Sequence, residues 1–181
     1  MPEAERHVIW EAWDASTLEH LTLRWDNGGW VAQGAVSGLD VNYALRLGPD
    51  FRTRQFLLFR DLVEPDLWLA TDGRGGWGEV NGAERPELQG CYDLSLRCSP
   101  FPLSIAVRTL GLAVGESMDV EVAAVDVGTL GVEAIAHAYT RLSEQRWHLQ
   151  LPASGLGVDF EVDADGLVVA APGWFRRVPP R

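Results

Sequence analysis

Apolar and polar residues alternate with a period of two along most of this chain, and that pattern limits its fold more than any other feature. Leu21, Leu23 and Trp25 alternate with Thr22, Arg24 and Asp26, and Val41, Tyr43, Leu45 and Leu47 with Asn42, Ala44 and Arg46. The same rhythm returns at Asp93–Arg97, Met118–Val122, Arg146–Leu151 and Leu156–Val162. A period of two sends successive side chains to opposite faces of an extended strand, so each run has one face to bury. Between the runs stand hairpin signals in which Gly or Asn supplies positive φ: Asn27-Gly28-Gly29, Gly48-Pro49-Asp50, Asp72-Gly73-Arg74-Gly75-Gly76, Asn81-Gly82 and Asp165-Gly166. In the first ninety residues the runs near 8–13, 20–26, 29–36, 40–47, 51–63, 66–71 and 76–80 are expected to be successive neighbours, because sequential strands usually pair.

Two stretches break the rhythm. Pro100 and Pro102 exclude a central ladder from Pro100 to Thr109, which is expected to be an irregular or short helical crossing. From Val132 to Leu142 the spacing of Ile135, Tyr139 and Leu142 suits a helix, but β-branched and aromatic residues at strand spacing assign it as a strand. The total is about twelve to fourteen strands. A sheet that long buries one face only by curling. The expected fold is therefore mostly β: one long antiparallel meander sheet curled into an open or half barrel, with at most short helical crossings, in a single domain over 1–181.

Charge then restricts partners. The chain has a net charge of −11, and its fifteen basic residues are all arginine, scattered from Arg6 to Arg181. Phosphate backbones and anionic lipid surfaces are repelled by such a balance, which argues against nucleic acid and against stable membrane insertion. No apolar run approaches the length of a membrane span, and Met1–His7 lacks a basic start followed by an apolar stretch, so a cytoplasmic location is expected. Cys91 and Cys98 are an odd number apart, face opposite ways on one strand, and read as reduced, buried thiols.

A search for chemistry returns little. The four histidines, His7, His20, His137 and His148, form no zinc-type spacing, and no Cys-x-x-Cys occurs. Neither a Gly-x-Ser-x-Gly elbow nor a P-loop is present. Asp163-Ala164-Asp165-Gly166 opens like a calcium loop but lacks the distal glutamate and reads as a hairpin turn. No cofactor, metal or catalytic motif is assigned. The aromatic residues carry more: Trp30 and Trp77 each follow a glycine turn, and Trp174-Phe175 follows Pro172-Gly173, places where a ring either plugs the core or stacks on a sugar. Arg108, after Ile105-Ala106-Val107, must reach water, meet a carboxylate such as Asp93, or grip a headgroup.

Ordered motifs over the second half carry a family resemblance. They are Gly90-Cys91-Tyr92-Asp93-Leu94-Ser95-Leu96, Ser99-Pro100-Phe101, Arg108-Thr109-Leu110-Gly111-Leu112, Gly115-Glu116-Ser117, Tyr139-Thr140-Arg141-Leu142, Val162-Asp163-Ala164-Asp165-Gly166-Leu167-Val168 and Pro172-Gly173-Trp174-Phe175-Arg176-Arg177. With Gly34, Trp68, Gly76-Trp77 and Gly82 upstream, the chain resembles the bacterial putative glycolipid-binding family over nearly its whole length. The resemblance implies an open barrel similar in shape to the periplasmic lipoprotein carriers, with a lipid-sized apolar hollow. It carries over no catalytic residue. The chain departs from the family pattern at Ser95, where a second carboxylate is usual, at Thr109 for an arginine, at His137 for a glutamine and at Ala171 for a tyrosine.

The leading expectation is non-enzymatic binding of an amphiphile, a glycolipid or fatty-acyl compound, in that hollow, as carrier or sensor. Trp77, Asp93, Arg108, His137 and Tyr139 are the candidate ligand-binding residues. The alternatives are a lipid- or sugar-processing enzyme using a carboxylate or His137, and an interaction module whose hollow is filled by its own rings.

Overall fold

The protein is described here by a computed structural model over residues 5–61 and 63–179; part of the N-terminal stretch read for a leader lies outside that range. Fourteen strands form one sheet. They are β1 (Arg6–Ala12), β2 (Leu18–Asp26), β3 (Gly29–Ser37), β4 (Val41–Leu47), β5 (Thr53–Phe59), β6 (Leu67–Thr71), β7 (Trp77–Glu79), β8 (Asp93–Leu96), β9 (Ser117–Val125), β10 (Val132–Arg141), β11 (Arg146–Leu151), β12 (Leu156–Val162), β13 (Val168–Ala171) and β14 (Phe175–Val178). A single α-helix, α1 (Phe101–Thr109), joins β8 to β9, and a 3-10 turn, Pro86–Leu88, lies between β7 and β8.

Strands β1 to β7 pair in sequence order, as their alternation and turns require, and so do β9 to β14. The β2–β3 hairpin shows why: Asn27 and Gly28 both take positive φ, 49° and 79°, which lets Asp26 face Gly29 and keeps Leu21, Leu23 and Trp25 on one face. The two meanders are joined where the first strand pairs with the last, with Trp10 opposite Arg177 and Ala12 opposite Phe175. At the far end β8 pairs with β9 in parallel, making the sheet mixed. A parallel neighbour needs a crossover, and α1 supplies it.

The outer strands β7 and β8 are not paired with each other, so the rolled sheet remains an open barrel. The chain after β7 folds back over this seam. Gly90 N–H donates to Gly75 O at 2.9 Å, and Trp77 Nε1 donates to Cys91 O at 3.0 Å. Leu88 of the 3-10 turn is fully buried. Strand β8 is buried on both faces, through Asp93 on one and Leu94 and Leu96 on the other.

Helix α1 is enclosed by the roll. Six consecutive residues, Phe101 to Ala106, are buried, as expected for a helix with no solvent face. Phe101 meets the Phe51 ring, Ser104 Oγ accepts from Val168 N–H at 3.0 Å, and Tyr92 Oη donates to Thr109 O at 2.9 Å. The same core cluster holds Trp10, Phe56, Trp147 and Phe160, each almost without exposure. Burying a large side chain of this kind contributes about 1.5–3 kcal/mol, so this interior dominates stability. The hollow implied by the family resemblance is thus occupied by the chain's own helix. The crossing at 100–109 is helical and 132–141 is a strand, as the residue patterns indicate.

Arginines of the last strand fasten the join. Arg177 spans from the Asp163 carboxylate at 2.7 Å to the Leu167 and Val168 carbonyls, and Arg176 pairs with Glu11 across to β1 at 2.7 Å. The calcium-like Asp163–Gly166 segment is a hairpin turn closed by Asp163 N–H to Leu167 O. Both cysteines are free and buried.

Candidate functional site

The five residues singled out in the sequence fall into two places. Asp93, His137 and Tyr139 share one buried polar cluster. Asp93 Oδ2 accepts from Thr53 N–H at 3.2 Å and Oδ1 from Leu94 N–H at 2.8 Å; burial raises its carboxyl, and those partners oppose the rise. Tyr139 Oη lies 3.1 Å from His137 Nδ1. Burial, with the nearby Asp93 charge, pushes the Tyr139 phenol upward. Burial alone lowers the His137 imidazole to about 4, so the ring is neutral at physiological pH. Trp77 adjoins the cluster through Cys91 and spends its indole N–H on the seam.

Arg108 stands elsewhere. The pairing with Asp93 considered from the sequence is not formed, because Arg108 sits in the last turn of α1 and projects to a mouth of the roll. Its Cζ lies 3.8 Å from the centre of the Phe51 ring and 5.4 Å from that of Trp30. Trp25, 36% exposed, packs edge-on against Trp30 at 5.3 Å. Asp165, Asp163 and Arg6 are the charges Arg108 feels, but among the described residues it makes no ion pair, since Arg6 holds Asp165 and Arg177 holds Asp163. Gly166 is needed here: a Cβ on it would meet Arg108 Cγ at 3.0 Å.

Phe51 completes this mouth at a conformational cost. The Gly48-Pro49-Asp50 signal was expected to draw its positive φ from glycine, but Phe51 itself takes φ 67° while 3% exposed. A bulky residue held there costs about 1–3 kcal/mol and persists where its surroundings fix it. Trp30, Phe101 and the Arg108 guanidinium are those surroundings.

A third group was not singled out from the sequence. Glu19 of β2, 2% exposed, accepts hydrogen bonds at Oε1 from Tyr43 Oη at 2.5 Å and Ser99 Oγ at 2.9 Å. Its Oε2 is buried without a partner. Burial pushes Glu19 up to about 7 despite the two donors. The available signal was a parity clash: Glu19 shares the inward face of β2 with Leu21 and Leu23. Gly34 on β3 is the second signal, since a Cβ there would lie 2.2 Å from Tyr43 Cε1. Without one, the Tyr43 ring crosses β3 and reaches Glu19 on β2.

On the sheet between β14, β1 and β2 runs a cleft of about 480 Å³, lined among others by Ile9, Leu18, Val178 and Pro179 and bordered by His7, Glu11 and Thr22. Of its polar groups, His7 is matched with Glu5 and Thr22, and Glu11 with Arg176.

The sequence profile of a family described as putative glycolipid-binding matches residues 7–177. The chain belongs to that family. A crystal structure of another protein, a DUF1089 family member from Pseudomonas aeruginosa at 1.80 Å resolution, shares the fold with this glycolipid-binding family chain. The two superpose with a TM-score of 0.70 at 26% identity, over 98% of this chain and 94% of that one. No curated protein matches the chain. No helix among the described residues is long and apolar enough to cross a membrane.

Proposed function

We propose that the protein binds an amphiphile with a sugar headgroup, without transforming it, and that the headgroup is received at the Trp25–Trp30–Phe51–Arg108 mouth. The carrying observation is Arg108: an exposed guanidinium on an aromatic wall, with no carboxylate within ion-pair distance among the described residues. Indole faces stack on the apolar face of a sugar ring, and the guanidinium fork donates to ring hydroxyls or to an attached acid. Family membership supports the same ligand class. Affinity comes chiefly from the tail. At ~0.8 kcal/mol per buried CH₂, a tail of about twelve carbons contributes on the order of 10 kcal/mol before association costs.

The sheet cleft supports a second placement of the tail, because its volume lies within the ~300–1,000 Å³ of small-molecule sites. Titration with dodecyl maltoside below its micelle concentration, followed by tryptophan fluorescence, tests both. Arg108→Ala is expected to weaken binding about tenfold under conditions where circular dichroism shows it fully folded, with a lower Tm because its contact with the Phe51 ring is lost, and Ile9→Asp to leave binding unchanged. Maltose alone should bind far more weakly. If Arg108→Ala binds like wild type, the mouth is not the headgroup site; if Ile9→Asp alone abolishes binding, the tail lies in the cleft.

A further inference from the structure

The interior of the roll holds α1 by apolar burial, and the directional joints that lock it to the sheet are few. Its N-terminal end is held through Ser99, which bonds Glu19 and lies 3.1 Å from Tyr43 Oη while also accepting the Phe101 amide. Its middle is held by Ser104 to the Val168 amide, and its far end by Thr109 O to Tyr92 and by Arg108 on Phe51. A helix makes no ladder with the surrounding sheet, so removing it breaks these joints and leaves each strand pairing of β1–β7 and β9–β14 in place. What it buries, Phe101, Leu103 and Ile105, is hydrocarbon. An alkyl chain entering the same space re-covers the apolar inner face of the sheet, and that burial offsets part of the cost of exposing the helix's own apolar side chains. The connection after α1 turns at Gly111 and Gly115 and is tied to β10, Gly115 N–H donating to Arg141 O at 2.7 Å and Arg141 Nη1 to Leu112 O at 2.8 Å, so the helix is anchored at that end and its release begins at the Ser99 end.

We propose that α1 is a releasable plug, latched to the sheet by Glu19, Tyr43 and Ser99, and that loss of the Glu19 proton unlatches it so that the space it fills receives the apolar tail of the ligand. The tail half of this statement rests on the amphiphile reading above; the latch does not. Glu19 presents one bonded oxygen and one bare oxygen to an apolar interior. A protonated carboxyl tolerates that setting, and a carboxylate does not. Tyr43 faces it from β4, and Cys98 and Ser99 face it from the segment before α1; its cross-strand partners, Trp10 on β1 and Val36 on β3, are uncharged. No cation joins the cluster among the described residues to hold the carboxylate in place. The titration of Glu19 at about 7 places the event near neutrality.

Hydrogen exchange by mass spectrometry on the full chain, corrected for the intrinsic pH dependence of exchange, tests the latch. A carboxyl that moves from about 7 when latched to its ordinary 4.5 when hydrated makes opening about tenfold more favourable at about pH 8 than at about pH 6. At about pH 8, α1 amides are expected to exchange at least tenfold faster than those of β11 and β12, and to slow about tenfold at about pH 6. In Glu19→Gln the α1 rate should not respond to pH, and in Ser99→Ala it should be fast at both values. Equal protection of α1, β11 and β12 at both pH values overturns the plug, and a pH response surviving in Glu19→Gln overturns the latch. Dodecyl maltoside supplies the second arm: tighter binding at about pH 8 than at about pH 6 is expected. No binding at either pH with an intact α1 response sinks the ligand and the chamber while leaving the latch; equal binding at both with a flat α1 response sinks the latch and leaves the ligand.

Discussion

Replacing Gly34 by alanine adds one methyl group where the structure has no room for it. The new Cβ would lie 2.2, 2.4 and 2.7 Å from Cε1, Cζ and Oη of Tyr43. The ring cannot swing away, being 2% exposed, tilted against Phe56 and bonded to Glu19 and Ser99. Forcing a methyl into such packing costs about 1–3 kcal/mol. Pulling Tyr43 Oη off Glu19 leaves a buried carboxyl with one donor fewer, a further ~1–3 kcal/mol. Against this, alanine restricts the unfolded chain and returns about 0.4–1 kcal/mol. The net expectation is a loss of about 3 kcal/mol, which for a domain of this size lowers Tm by roughly 6–12 °C. Urea unfolding of Gly34→Ala, Tyr43→Ala and the double variant separates the steric cause from any general intolerance of β3. With the Tyr43 ring removed, the extra methyl has space, so the double variant should be less destabilised than the sum of the singles by about 2 kcal/mol. Strict additivity, or a loss below about 1 kcal/mol in Gly34→Ala, would falsify the account of Gly34 as the gap through which Tyr43 reaches Glu19.

Glu19 and His137 impose opposite pH dependences. The folded state raises Glu19 from 4.5 to about 7, so the folded chain binds the extra proton and stability falls as pH rises through that window, by about 3 kcal/mol in full. The folded state lowers His137 from 6.5 to about 4, so the unfolded chain takes the proton first and a similar amount is lost as pH falls from 6.5 to 4. The windows overlap and largely cancel. Chemical denaturation across pH should therefore show Glu19→Gln gaining on wild type as pH rises from about 4.5 to 7, and His137→Gln gaining on it as pH falls below about 6.5; stability differences independent of pH in either variant refute the corresponding burial. Arg177→Met keeps the stem and removes the fork joining Asp163, Leu167 and Val168. With the side chain about a quarter exposed, a loss of roughly 1–2 kcal/mol is expected in the same assay, and an unchanged midpoint counts against the fastening role.

Most of the sheet was legible because its information is local. Alternation at Leu21–Asp26 or Arg146–Leu151, bounded by a turn such as Asn27-Gly28, states both the strand and the face it buries, and neighbours in sequence then pair with little loss of chain entropy. The candidate site was legible only by residue type. Arg108, Tyr139 and His137 stood out as polar groups among apolar ones, but the groups that set the surroundings of two of them lie far along the chain: Phe51 and Trp30 for Arg108, and Asp93 as the charge beside Tyr139. Glu19 was passed over because a single glutamate in a strand looks like any surface acid until Tyr43 and Ser99 are brought to it.

By itself the sequence determined a long strand-and-turn chain, the pairing of successive strands, the break at Pro100 and the family to which the motifs point. The tertiary structure alone decided that β1 closes on β14, that β8 runs parallel to β9, and that α1 lies inside the roll instead of leaving a hollow. These are contacts between residues about thirty or more positions apart, and for β1 with β14 nearly the whole chain apart. Their free energy comes from burying surfaces that no local pattern pairs, so they become definite only when the whole sheet has curled and its inner face must be filled.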